Sequence, residues 1–153
     1  MIARRTARLL LWATALGATA AATAAAVVAV RAGLGQEQAR VVEVFVIAAC
    51  SGIGALILAS RSRHPVGRAL LAGGALWGLA SLPVELLIAA VHARPTTLTA
   101  ALLSVAFPVR GLGWMILAIV LPLVFPDGPS PRSRWWLRLA ALDLVLFVAV
   151  LIA

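Results

Sequence analysis

The chain has 153 residues, 63% of them hydrophobic and 12% charged, with a formal net charge of +8. Soluble domains hold roughly 45–50% apolar and about 25% charged residues, and here the charges gather in short clusters between long apolar runs, which excludes a soluble enzyme and makes lipid the expected solvent. All 13 basic residues are arginine, and they flank stretches of near-bilayer length, so nucleic acid is set aside as a partner in favour of topology signals and anionic headgroups.

The first apolar stretch, 9–30, follows Arg4, Arg5 and Arg8. At 1.5 Å per residue it crosses a hydrocarbon core of about 30 Å. A signal peptide is the rival reading, because the basic start and the Ala-x-Ala triplets fit one, but the stretch exceeds the usual length of about 7–15 apolar residues and is expected to be a retained helix. The second span, 41–59, is bounded by Arg40 on one side and by Arg61, Arg63 and Arg68 on the other, and the third is 69–91. The stretch 98–125 is longer than one span needs and contains Pro108 and Arg110. A helix starting near Pro108 would put proline where its missing N–H costs least and let Arg110 reach an interface along its aliphatic stem. The fourth span is therefore expected over 108–125, with 98–107 as an interfacial approach. The fifth, 137–153, is still apolar at its last residue, as if the native chain continued.

The fold class expected is all-α: one integral membrane bundle over 1–153, with about five transmembrane helices joined by short loops that favour antiparallel neighbours. The apolar runs lack the period-two alternation of barrel strands. The N-terminus, the 61–68 loop and the 132–138 loop carry three arginines each, against Arg31, Arg40, Arg94 and the debatable Arg110 on the alternate side. That asymmetry predicts a cytoplasmic N-terminus, with residue 153 near the outer face; the all-arginine usage with abundant Ala, Gly and Pro suggests a GC-rich bacterial genome and hence a bacterial plasma membrane.

Glu85 lies inside the third span, two residues after Pro83. A charged carboxylate at the centre of a bilayer costs about 2.5–3.5 kcal/mol on insertion scales, so it is not expected to face lipid. It is either a proton- or ligand-sensing group or a structural carboxylate, paired with Arg110 or placed near the outer interface. Asp143 falls early in the fifth span, where water, Arg134 and Arg138 would keep it charged. Glu85, Arg110 and Asp143 are the candidate intramembrane polar residues, and none belongs to a recognisable catalytic pair.

His64 and His92 fall at loop edges on opposite sides, which makes a shared metal site improbable. The chain has no phosphate-binding loop, serine-nucleophile motif, zinc-protease motif or cysteine pair, so no catalytic residue and no cofactor is expected. Cys50 lies within an apolar run and reads as a small packing residue. Gly74 and Gly78, Ala48 and Gly52, and Cys50 and Gly54 form small-xxx-small pairs that let helix backbones approach, with internal packing favoured over dimerisation. Of the tryptophans Trp12, Trp77, Trp114, Trp135 and Trp136, the last two best fit a headgroup boundary.

The run Leu121-Pro122-Leu123-Val124-Phe125-Pro126-Asp127-Gly128, followed by prolines, arginines and Trp135-Trp136, resembles a segment common in the membrane regions of actinobacterial two-component sensor histidine kinases. Its physics agrees: Pro126 stops a helix, Asp127-Gly128 is a turn pair, and the arginines hold the turn on the cytoplasmic side. His64-Pro65-Val66-Gly67, leading into Leu70-Leu71-Ala72-Gly73-Gly74, is similar to an Asn-Pro-Ile-Gly loop of the same family, with His for Asn and Val for Ile. Pro129-Ser130-Pro131 departs from the more usual Arg-Leu-Pro. The resemblance covers about half the chain, from His64 to Arg138. It implies the sensor or anchor half of such a kinase, a homodimer, and a response regulator reached only through a C-terminal kinase domain that these residues do not contain. The competing expectation is a free-standing small multi-pass protein, a complex subunit or a transporter-like chain with Glu85 and Arg110 lining a polar path. A membrane-embedded enzyme ranks third.

Overall fold

The computed structural model describes residues 2–35 and 37–124 and the single positions Trp135, Arg138, Leu142 and Val145. It is all-helical: α1 (Ile2–Arg31), α2 (Glu37–Ser60), α3 (Pro65–Ala93), α4 (Thr97–Met115), a π-helical turn (Ile116–Val120) and its short continuation α5 (Leu121–Val124). Four helices are long and apolar enough to cross a membrane, over Arg5–Arg31, Gln38–Ser60, Pro65–Ala93 and Thr97–Val124. The expected fifth span, 137–153, lies outside the described residues apart from three isolated helical positions.

Each connection has a local cause. Gly33, at φ +65°, ends α1 in a Schellman motif: the Leu34 N–H donates to the Ala29 carbonyl at 3.0 Å and the Gly33 N–H to that of Val30 at 3.1 Å. A Cβ at position 33 would meet no atom within 4 Å, so only backbone strain opposes a side chain there. Gly33→Val is therefore expected to cost about 1–2 kcal/mol and Gly33→Asn much less, measured as thermal unfolding in mild detergent. At the opposite end Pro65 opens α3 from its first turn, where a missing N–H is harmless.

The fourth span differs from expectation. Thr96 and Thr99 form a reciprocal capping box that starts α4 at Thr97, so 98–107 is helix rather than an interfacial approach, and the rod passes through Pro108. Pro108 is tolerated as a buried residue inside this helix. The wide turn Ile116–Val120 sits just before Pro122, whose ring would otherwise press on the Ala118 carbonyl in regular α geometry; Leu121 N–H donates to the Ile116 carbonyl instead.

Helix α3 is the hub. It packs against α1, α2 and α4; α1 and α2 also pack on each other, while the α4 backbone lies close to that of α3 alone among the other three long helices. The reason is side-chain size. Along α3, Gly67, Gly73, Gly74, Gly78, Ala80 and Ser81 are buried, and without bulk there the neighbouring backbones come close. A Cβ at Gly74 would lie 2.9 Å from the Ser51 nitrogen of α2, and one at Gly73 3.0 Å from the Gly113 carbonyl of α4. Helix α1 answers with Ala15, Ala18, Ala22, Ala25 and Ala29, all buried at alternating spacings of three and four, a narrow seam of the coiled-coil kind. Of the pairs expected to mediate packing, Gly74 with Gly78 and the Gly54 position do so; a Cβ at Gly52 would meet nothing within 4 Å, so the Ala48–Gly52 face is not a close contact.

Candidate functional site: a buried quartet of charges

In the half of the bundle nearer the 32–36 and 94–96 connections, three helices turn charged side chains toward one another. Arg40 and Glu43 are one turn apart on α2, Glu85 lies two turns before the end of α3, and Arg110 lies midway along the fourth rod. Trp77, Ser81 and Glu85 follow at four-residue spacing and share one face of α3.

Arg110 is the bridge. Its Nη2 donates to both oxygens of Glu43, at 2.7 and 2.9 Å, and its Nη1 to Glu85 Oε1 at 2.9 Å. Arg40 Nη1 stands 2.7 Å from the same Glu85 oxygen and 3.2 Å from Glu43 Oε2. Two guanidinium groups thus face two carboxylates, and the formal charges cancel. Glu43 Oε1 also accepts from the Trp77 indole N–H at 2.7 Å. The Ser81 hydroxyl has one proton for two acceptors, Glu43 Oε1 at 3.2 Å and the Trp77 carbonyl at 2.8 Å. The side chain of Glu85 is fully buried, whereas those of Arg40, Glu43 and Arg110 keep 18%, 12% and 16% of their exposure.

The quartet is nearly but not fully satisfied. Glu85 Oε2 and Arg40 Nε are buried without a partner, and buried polar atoms are rarely left so. A narrow void lies beside Arg40, Glu43 and Ser81, closed on its far side by Ala22, Ala25 and Ala26. Chemically the arrangement is a clamp: any change in one member's partners requires α2, α3 and α4 to readjust together, because low local dielectric makes each loose charge expensive.

Of the residues singled out in the sequence, Glu85 and Arg110 are joined, as the pairing alternative held. Arg110 does not run to an interface along its stem; it turns inward, where two carboxylates compensate its charge. Asp143 and the turn Phe125-Pro126-Asp127-Gly128 lie outside the described residues. Trp77, one of the five tryptophans, is a donor within the quartet. Sequence reasoning missed Glu43, and it took Arg40 for a loop flank. The available signal was Glu43 itself, an acid that interrupts the apolar run soon after it opens at Val41, one turn from an arginine.

The histidines sit at opposite ends of α3: His64 occupies the position before its first turn without a side-chain capping bond, and the His92 ring lies 2.9 Å from the Ile88 carbonyl in its last turn. Among the described residues no group of three or more His, Cys, Asp or Glu side chains could hold a metal ion. The sequence matches no protein-family model, and it finds no match among curated proteins or solved structures.

Proposed function

We propose that this chain is the membrane-inserted input region of a two-component sensor histidine kinase, a multi-pass bundle with a cytoplasmic N-terminus that senses a cue and passes a change of helix packing to a kinase domain. One observation carries the reading. The two segments that resemble the kinase family, far apart in sequence, meet at one end of the bundle: Val66 and Ala69 of the His-Pro-Val-Gly start pack with Val124 of the Leu-Pro-Leu-Val run, flanked by Leu70, Val120 and Leu121. That end also holds Arg61, Arg63 and Arg68, so it is the end the arginine bias assigns to the cytoplasm. The bias is sharper than a count of arginines suggests, since Arg40 and Arg110 are engaged inside the quartet and, among the described residues, Arg31 and Arg94 remain at the other end.

The quartet supplies what a signal-transmitting bundle needs, a discrete set of ion pairs whose rearrangement moves three helices at once. The lone oxygen of Glu85 favours a second reading, a transporter-like path for protons or solute. One experiment separates them. The open reading frame that contains this chain is expressed whole, with and without Glu85→Gln, and assayed for ATP-dependent histidine phosphorylation, reporter output and solute flux. Kinase labelling with altered output in the variant is the expected result. A product that takes no label, or a variant that loses flux while signalling normally, overturns the proposal.

A further inference from the structure

Between α1 and α2, near the 32–36 connection, the helices part to leave a groove of about 450 Å³. This lies within the range of roughly 300–1,000 Å³ typical of sites that take small molecules. Its walls are Val27 and Val30 from α1 and Val41 and Phe45 from α2, between 46% and 70% exposed, so it opens outward rather than into the bundle. The lining is overwhelmingly apolar, and the charged residues among the described ones at its edge are both cations, Arg31 and Arg40. The one hydroxyl, that of Thr23, is used within its own helix on the Thr19 carbonyl at 2.8 Å. Arg31 has no ion-pair partner among the described residues. Arg40 reaches Glu43 and Glu85 through Nη1 and leaves its buried Nε unmatched.

A second groove, between α3 and α4, has nearly the same volume, about 420 Å³, and is lined by Ala72, Leu79, Pro83 and Val109 among others, with no charge at all. The contrast decides the chemistry. Hydrocarbon suits both grooves, but only the first has cations beside it, and among the described residues no carboxylate lines it.

We infer that the α1–α2 groove is a binding site for an anionic phospholipid, with an acyl chain along Val27, Val30, Val41 and Phe45 and the phosphate between Arg31 and Arg40. A bilayer lipid is the occupant because the walls face outward at the level where a helix pair meets headgroups, and each arginine near an anionic surface contributes about 1 kcal/mol. Arg40 then belongs to two structures at once. A phosphate drawn toward the Arg40 guanidinium competes with Glu43 and Glu85, which couples occupancy of the groove to the quartet and through Arg110 to α4. The site requires that the bundle be membrane-inserted, but nothing about kinase activity.

The test is made on the purified chain in nanodiscs of phosphatidylcholine into which phosphatidylglycerol of the same acyl composition is titrated, bound lipid being counted by native mass spectrometry. Saturable retention of phosphatidylglycerol over phosphatidylcholine is expected. Arg31→Gln should weaken it about fivefold, the equivalent of about 1 kcal/mol, and Val30→Trp, which fills the groove, should abolish it. Arg94→Gln removes a charge from the same end of the bundle away from the groove and should leave retention unchanged. Equal retention of the two lipids, equal weakening by Arg31→Gln and Arg94→Gln, or a groove covered by a second copy in a dimer that Val30→Trp breaks would each overturn the inference. Failure to enter nanodiscs would instead refute the membrane-inserted bundle itself.

Discussion

Arg110→Leu is expected to destabilise the bundle by about 3–5 kcal/mol, the range for removing one partner of a buried ion pair. The substitution leaves Arg40 alone against Glu43 and Glu85 and takes three hydrogen bonds with it. Lysine does not replace it: one ammonium is a point charge, whereas the guanidinium holds both oxygens of Glu43 with one nitrogen and Glu85 with another. The decisive comparison is the double variant Arg110→Leu with Glu85→Leu, which keeps the charges balanced through Arg40 and Glu43. Thermal unfolding in mild detergent should give a double variant more stable than Arg110→Leu alone, a strongly non-additive cycle. Additive losses would mean that the four groups do not act as one unit.

The second large effect belongs to Gly78. A Cβ there would stand 2.6 Å from the Ala18 carbonyl of α1 and 2.8 Å from Ile47 Cγ2 of α2, so a side chain must push two helices off the hub simultaneously. Overpacking costs typically about 1–3 kcal/mol and more where backbone must move. Gly78→Leu is expected at or above the top of that range, with a broadened elution profile in detergent. Gly52→Leu, at a position where a Cβ meets nothing within 4 Å, should be nearly silent and serves as the control for hydrophobicity. A Gly78→Leu protein that melts like the parent would remove the close α1–α3 crossing from consideration.

The number and approximate limits of the four described helices were legible because length and apolarity alone reveal a rod that can cross a bilayer. The start of the fourth was not. Proline at position 108 is the stronger textual signal, but the Thr96–Thr99 box provides the N-terminal hydrogen bonds some three turns earlier, and a helix begins where its free N–H groups are satisfied. The alanine seam of α1 was illegible for a different reason. Alanine also fills the neighbouring positions 20, 21, 24 and 26, so composition carries no periodicity, and only the partner surfaces on α2 and α3 select which stripe is buried. The quartet was half legible. Glu85 and Arg110 announced themselves by their cost, but Arg40 and Glu43 lay where a span is conventionally taken to begin, and no local pattern reports that α4 brings Arg110 to the charges of α2.

The dependence of the clamp on its last member also bears on biogenesis. As the chain is made, α2 and α3 emerge carrying Arg40, Glu43 and Glu85, one negative charge in excess, and the compensating Arg110 follows only after a further two dozen or so residues, as the positions of Glu85 and Arg110 dictate. If the bundle is membrane-inserted as proposed, the first three helices until then hold a carboxylate that lipid disfavours and are expected to stay near water. On that reading, completion of the fourth rod is expected to release the bundle into the bilayer, and a chain stalled before codon 110 should persist as an intermediate with an uncompensated carboxylate.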